Sequence, residues 1–455
     1  MTSSECTMKE MDNNSQYIKM TTKPVESLLV SLSIPTIMSM LVTTLYNIAD
    51  TAFVGTLGTS QSGATGVVNG FMAILQAIAF MCGQGAGSVM SRKLGQKQGD
   101  EANKYGTTGL FFSFSLGLII SIISFIRINP LMSMLGATET IAPYAKIYLM
   151  FIALSAPFFT SSLTINNLLR YEGKAKFGTV ALMTGAVLNV AGDALLIFVF
   201  KLGIAGAGIS TAASQTISFI IIISMYFRGK TDVKLSFSSI SRTFDTYAEI
   251  IATGFPSLLR QGLNSVATML LNRKAGIYGD QAVAAMSIVS RLGFFPMAVA
   301  IGIGQGFQPI SAFNFGAGKK DRVKEAFYKA LIGSELALFI VSIPMFVFAP
   351  SFVKILRDDI SVIEIGARAL RLICIGQMAV PLTMMVEMGF QSTGQKLFAT
   401  ISSSLRSGLV FIPTLLLFAK YRGLAGVQEA QPLSFVATFV ICVFLMRTYL
   451  RKLED

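Results

Sequence analysis

The 455-residue chain has no histidine, no tryptophan, four cysteines and only 13% charged residues. Without histidine, imidazole acid–base catalysis, histidine metal ligation and histidine proton relays are excluded. Cys6, Cys82, Cys374 and Cys442 are scattered, with neither the spacing of a metal site nor that of a disulfide framework. Without tryptophan, any aromatic belt at a membrane interface must come from Tyr and Phe. A soluble chain carries about a quarter charged residues, so the shortage of charge argues against a soluble protein. Acidic residues are the scarcer sign, 24 against 37 basic, for a formal net charge of +13.

What is present is apolar: 53% hydrophobic residues and a mean hydropathy of +0.63. About twelve apolar runs, each near the ~20 residues that cross a bilayer, follow one another from residue 28 to the C-terminal end. Their approximate cores are 30–54, 64–88, 106–126, 143–165, 177–200, 206–227, 248–272, 282–310, 326–349, 364–390, 397–419 and 424–446. The fold class this predicts is an all-α, multi-pass membrane protein.

Basic residues gather in alternate loops: Arg92 to Lys104, Arg170 to Lys176, Arg228 to Arg242, Lys319 to Lys329, and Arg447 to Lys452. The positive-inside rule then puts both termini in the cytoplasm, as an even number of crossings requires. The positive excess therefore encodes topology and does not call for nucleic acid as a partner. Residues 1–25 are polar, lack a signal-peptide core, and are expected to form a disordered cytoplasmic lead-in.

The two halves share landmarks 221 positions apart: Pro35 and Pro256, Gly55 and Gly276, Gly58 and Gly279, Gly83-Gln84-Gly85 and Gly304-Gln305-Gly306, Gly95 and Gly316, Asp100 and Asp321, Gly173 and Gly394, Phe177 and Phe398. A proline and a Gly-Gln-Gly triplet in one register mark a duplication. An even number of helices per repeat gives parallel repeats related by an axis along the membrane normal. The expected layout is a first lobe over 26–227, a cytoplasmic linker over 228–247, a second lobe over 248–447 and a cytoplasmic tail over 448–455. Two pseudo-symmetric six-helix bundles would flank a central cavity.

Asp50 and Asp193 lie in apolar segments of the first half, without a basic residue close by. A carboxylate at membrane depth is costly unless it is paired, protonated or bound to a cation. At 1.5 Å rise per residue, Asp50 lies about 25–30 Å along its segment, Asp193 about 24 Å along its own, and Thr211 about 8 Å from the outer end of the next. All three then fall in the outer half of the bilayer. Asn189 and Asp193 share a helix face, and Tyr46, Asn47 and Asp50 form a polar stripe with Thr43 one turn earlier. Pro35 removes one backbone hydrogen bond from the first segment and can bend it. Two carboxylates with amide and hydroxyl oxygens suit a hard cation such as Na⁺ and suit a proton equally well. The plainer alternative is a pair of protonated, inert groups that merely bond a neighbouring helix.

The second half differs where it matters. The register mates of Asp50 and Asp193 are Leu271 and Thr414, while Arg260, Arg291, Glu335, Glu387 and Arg406 stand at membrane depth. Arg260 can pair with Glu387, and Glu335 with Arg406. Ion coupling is thus expected in the first lobe and structural pairing in the second.

Four stretches, YNIADTAFVG at 46–55, GQGAGSVMSRKLG at 83–95, NNLLRYEGKAKF with LNVAGDALLIF at 166–198, and IGIGQGFQPISAFNFGAGKKDRVKEA at 301–326, carry a resemblance to the multidrug and toxic compound extrusion (MATE) family, in its DinF-like or MepA-like prokaryotic branch. The resemblance spans about residues 25–447. It implies a secondary antiporter in the inner membrane that exports amphipathic, mostly cationic compounds in exchange for H⁺ or Na⁺ by alternating access. It further implies a monomer in contact with membrane lipids, with small organic cations as partners and no cofactor beyond the coupling ion. Asp50, Asn189, Asp193 and Thr211 match the family's cation site, where Na⁺ is the candidate metal, with Asn47 beside them. Met40, Thr44, Tyr46 and Asn166 match residues of the drug cavity, to which Gln261 and Glu387 are added as candidates, and the first helix bends at Pro35. The acidic pair of the vibrio-type branch has no match here, and Gly192-Asp193-Ala194 stands where relatives often have Leu-Asp-Pro, a loss of proline expected to stiffen that helix.

The 23 Met and 35 Phe could line an adaptable cavity, but are also ordinary lipid-facing residues. The GQGAG and GQG runs lack the Lys-Ser/Thr ending of a phosphate loop, and close helix packing explains them better. No nucleophile–base pair supports an enzyme. The competing functions are a flippase for lipid-linked oligosaccharides, which would call for an arginine-rich cavity across both lobes, and a passive channel or receptor.

Overall fold

The structure, a computed structural model, describes residues 16–454, and among them it is entirely helical apart from turns and loops. In chain order the long helices are α1 Val25–Gly55, α2 Thr59–Gly95, α3 Gly99–Ile126, α4 Ala142–Tyr171, α5 Ala175–Val199, α6 Gly203–Phe227, α7 Phe244–Gly276, α8 Asp280–Gly316, α9 Lys320–Val347 and α10 Ile360–Ser392. A last helical run, Lys396–Glu454, is broken at Gly423 (φ 63°, ψ −137°) into α11 (396–422) and α12 (424–454). Among the described residues ten helices are long and apolar enough to cross a membrane. The count falls below twelve for two physical reasons. The run Lys396–Glu454 counts once despite its break at Gly423, and α7, with Arg260, Arg273 and Lys274 along it, is not apolar enough to qualify.

The duplication is visible in the elements. α2 and α8 are each 37 residues long, and α3 and α9 are each 28. The turns between them repeat too: Gly58 and Gly279 enter α2 and α8 at φ 126° and 97°, and Gly173 and Gly394 hold φ 79° and 81° after α4 and α10. These left-handed values are open to glycine at little cost, which is why the repeat keeps glycine there.

Two compact units result, and each takes one half-helix from the other repeat. The first comprises residues 16–22 and Met38–Leu258, and the second Lys23–Ile37 and Leu259 onward. The borders fall inside α1 and α7, two residues beyond Pro35 and Pro256 respectively. They do not follow the expected 26–227 and 248–447 division. Glycines permit the exchange. In the first unit a Cβ on Gly85 of α2 would stand 2.2 Å from the backbone oxygen of Ile250 in the first half of α7. In the second unit a Cβ on Gly306 of α8 would stand 2.3 Å from Oγ of Ser33 in the first half of α1. The Gly-Gln-Gly runs are therefore helix-contact surfaces.

The first unit is built on α4, which packs along α2, α3 and α6. One of its hydrophobic clusters joins Val54, Val68, Phe71, Leu75, Tyr148, Leu149 and Ile152. The stretch expected as a linker, 228–247, is pinned to this unit. Backbone N–H groups of Lys234 and Ser241 donate to Asn103 Oδ1 (2.7 Å) and Thr108 Oγ1 (2.9 Å). Glu172, just past α4 and 1% exposed, accepts from the Tyr226 hydroxyl (2.9 Å) and the Asp232 backbone N–H (3.2 Å). Burial, then the Asp232 charge, pushes its carboxyl up to about 8 against the opposing pull of Lys174. Residues 16–22 are helical, not disordered as expected: Met20 is fully buried, and Gln16 Nε2 donates to the Glu172 carbonyl at 2.5 Å. Residues 1–15 of the expected lead-in lie outside the described residues.

The second unit centres on α8, which packs along α9 and α10, and α10 packs in turn on the end of the chain. Its core joins Leu271, Met286, Val289, Val353, Leu370, Ile373, Phe411 and Leu415.

Candidate functional site

The second half of α1, with α2, α4, α5 and α6 of the same unit, encloses a cavity of about 380 Å³. Thr43, Tyr46, Asn47 and Asp50 reach it from α1, Asn189 from α5 and Thr211 from α6. Asp193, one turn beyond Asn189, is fully buried. Asp50 and Asp193 lie close enough for each charge to act on the other, and both act on Tyr46 and Tyr148.

The sequence brings α5 and α6 together through small residues. A Cβ on Gly185 would stand 1.9 Å from Ser218 Oγ, and one on Gly192 would stand 2.5 Å from Ser210 Oγ. This approach lets Asn189 Nδ2 donate to Thr211 Oγ1 at 3.2 Å, while Ser210 Oγ donates to the Asn189 carbonyl at 2.9 Å. The Asn189 amide nitrogen is thus turned to α6, and its Oδ1 is left open. Directly after Asp193 the helix widens into a π-helical turn, Ala194–Val199. The segment expected to be stiffened by the missing proline instead loses its regular α-hydrogen-bonding there, a feature that recurs at functional sites.

Four buried oxygens in this region have no hydrogen-bond partner of good geometry: Asp50 Oδ1, Asn189 Oδ1 and both carboxylate oxygens of Asp193. Buried oxygen acceptors without donors cost free energy, and a proton or a hard cation would satisfy them. Among the described residues no ion pair involves Asp50 or Asp193.

The remaining candidates are placed differently. Pro35 lies on the part of α1 that belongs to the second unit, and α1 runs on through it as a helix. Met40 and Thr44 lie on α1 in the first unit outside this cavity's lining, with Thr44 Oγ1 bonded to the Met40 carbonyl at 2.9 Å. Asn166 lies against Gly178 of α5, where a Cβ would meet its Nδ2 at 2.3 Å. Gln261 and Glu387 belong to the second unit. Glu387, 4% exposed, is held by Arg260 at 2.5 Å, so its carboxylate serves an ion pair. The pairing considered for Glu335 and Arg406 does not form among the described residues; the charges that act on Arg406 are Glu387 and Arg260.

Sequence reading missed Ser210 and Tyr148. Ser210 adjoins Thr211 and follows Asn189 by 21 positions, so the polar pair on α6 was its signal. Tyr148 lies in α4, within electrostatic reach of both carboxylates; a single tyrosine in an apolar run carries no pattern by which spacing could find it.

Comparison with known proteins agrees with this architecture. The MatE family model matches residues 35–195 and again 256–416, two stretches offset by the same 221 positions as the internal repeat. The multidrug export protein MepA of Staphylococcus saprophyticus is 27% identical over 426 residues, 92% of this chain and 93% of that protein. Its namesake in Staphylococcus aureus is 27% identical over 430 residues, 93% and 94% of the two chains. A solved structure of a multidrug resistance MATE family transporter in an outward-facing conformation superposes with a TM-score of 0.91 at 23% identity, covering 96% of this chain and 98% of that one. With both repeats matched by the family model and the fold shared almost end to end, this chain belongs to the MatE family of multi-pass membrane proteins.

Proposed function

We propose that the protein is a multidrug efflux antiporter that exports amphipathic, mostly cationic small molecules in exchange for H⁺ or Na⁺ by alternating access. The single observation behind this reading is the pair of a half-buried Asp50 and a fully buried Asp193 at a polar cavity, with unpartnered buried oxygens and no basic partner among the described residues. Relatives named as multidrug export proteins support the substrate class.

In this reading the coupling cation enters the cavity of the first unit and takes its ligands from Asp50, Asn189, Asp193 and Thr211, with Asn47 at the entrance. Binding removes the mutual repulsion of the two carboxylates and satisfies the open oxygens. The π-helical turn after Asp193 gives α5 a place to adjust as that charge is neutralised. Tyr46, with Met40, Thr44, Asn166 and Gln261, would contact the exported compound. Pro35 would let α1 bend between its halves, which belong to different units. No enzymatic step enters this scheme. The chain would act as a monomer in the cytoplasmic membrane with both termini inside.

The test is efflux of a fluorescent cationic dye from proteoliposomes, with Na⁺ and pH gradients imposed independently, for the wild type and Asp193→Asn. Gradient-driven efflux should vanish in the variant. Unchanged, still gradient-dependent efflux would overturn the coupling role. Downhill leakage alone, with no accumulation against a gradient in the wild type, would favour the channel reading.

A further inference from the structure

The second unit contains a smaller cavity, about 140 Å³, at the register of the first. It is lined by Asn264, Thr268, Ser290, Gln377, Arg406 and Gln431 among others. Asn264, Thr268 and Ser290 stand 221 positions after Thr43, Asn47 and Asn69 of the first cavity, and Leu271, also on the wall, stands where Asp50 does. Arg406 is the register mate of Gly185. The cavity of the duplicated fold has therefore been kept while its charge has been inverted, with one guanidinium and no carboxylate on its wall.

We propose that this cavity binds a small monoanion, of a size between chloride and acetate, on the guanidinium of Arg406. Three observations carry the assignment. Among the described residues Arg406 makes no hydrogen bond and no ion pair, although it lies in a membrane-spanning segment. The nearest charges leave it uncompensated, because Glu387 is already committed to Arg260 at 2.5 Å and the three groups together carry one excess positive charge. A net charge held at membrane depth is costly without a counter-ion. Finally, Arg406 sits on a π-helical turn, Leu405–Leu409, which replaces the regular α-helix at this point of the wall. Such turns recur where a helix is re-aimed for a ligand.

The rest of the wall presents acceptor oxygens, which would meet an anion through its waters. Thr268 and Ser290 give their hydroxyl protons to the carbonyls of Asn264 and Met286 at 2.9 Å. Gln377 Nε2 donates to the Gly293 carbonyl at 3.0 Å, while Oε1 of Gln377 and Oε1 of Gln431 have no partner. Waters around an anion on Arg406 would donate to those two oxygens. The volume admits a few such molecules and not a whole drug. The bound group is a free anion or the carboxylate of an exported compound, and the shared chemistry is a single negative charge.

The test uses the full chain purified in detergent in a gluconate background, with chloride as the probe and the line width of its ³⁵Cl NMR signal as the readout. The wild type should show saturable broadening that acetate displaces. Arg406→Gln should weaken that component about tenfold or more, the effect of one hydrogen-bonded charge, and Arg406→Lys should retain part of it. Should Arg406→Gln fail to fold, Leu271→Asp places a tethered carboxylate in the same cavity and should by itself abolish the saturable component. Absence of saturable broadening in the wild type, or its persistence in Arg406→Gln or Leu271→Asp, overturns the proposal. Efflux of a carboxylate-bearing dye beside a purely cationic one distinguishes the sources: selective loss of the former in Arg406→Gln assigns the site to the exported compound, and equal rates assign it to a free anion.

Discussion

The cavity of the first unit and that of the second share a register but carry opposite charge. On α1 the register holds Asp50, and on α7 it holds Leu271; on α5 it holds Gly185, and on α11 it holds Arg406. A duplication keeps what the backbone needs: the glycines of the turns hold left-handed φ values, and at the glycines of the helix contacts a side chain would collide. It leaves cavity side chains free to diverge, since a polar wall tolerates either sign once a partner is supplied. One half has kept open carboxylate oxygens, and the other has closed Glu387, its only buried carboxylate among the described residues, in an ion pair with Arg260.

The largest expected effect comes from erasing that difference. Asp50→Leu gives the first cavity the residue of the second, and gradient-driven dye efflux should be lost while the helical content by circular dichroism stays unchanged.

Next in size is the ion pair. Arg260→Met leaves Glu387 buried and alone, which costs about 3–5 kcal/mol. Arg260→Met with Glu387→Met should restore most of the thermal stability, measured as the melting temperature in detergent. If the single variant melts as the wild type does, the buried pair contributes nothing to the stability of the second unit.

Smaller still is the helix contact shared by both units. Gly85→Ala drives a methyl against the Ile250 carbonyl, and Gly306→Ala drives one against Ser33. Overpacking of this kind costs about 1–3 kcal/mol. The Ser33 hydroxyl can rotate away, leaving its backbone N at 2.9 Å, farther than the Ile250 oxygen that meets a Cβ on Gly85, so Gly85→Ala should lower the melting temperature more than Gly306→Ala.

The smallest effect separates Glu172 from its register mate Thr393. The Glu172 carboxyl is raised from the usual carboxylate range to about 8, so its uncharged form favours the folded state. That contribution is complete below pH 4.5, and it is lost as the pH rises through 8. The wild type should therefore lose stability progressively between about pH 4.5 and pH 8. Glu172→Gln, whose amide does not titrate, should flatten that part of the melting profile. An equal slope in both proteins would remove Glu172 as its cause.

Much of this organisation was legible in the sequence. Apolar runs near bilayer length, the 221-residue offset and two acidic residues in apolar segments required only periodicity, composition and the cost of burying charge. The convergence of Asp50 with Asn189 and Thr211 followed from helix rise and direction, since rigid helices convert sequence position into depth. Ser210 and Tyr148 were not legible, because rotation about a helix axis decides which residue faces a cavity and depth does not report it. The half-helix exchange was hidden as well: a hydrophobic run that crosses the membrane reads the same whichever neighbours it packs on.

The amino-acid sequence by itself determined the fold class, the duplication and the carboxylates of one half, because each depends on local composition or on a repeat in one register. Only the tertiary structure decided that Glu387 is spent on Arg260, that Arg406 has no partner among the described residues, and that α1 and α7 each serve two units. Those outcomes depend on distances between helices far apart in the chain, and such distances are set by which small residues let two backbones meet.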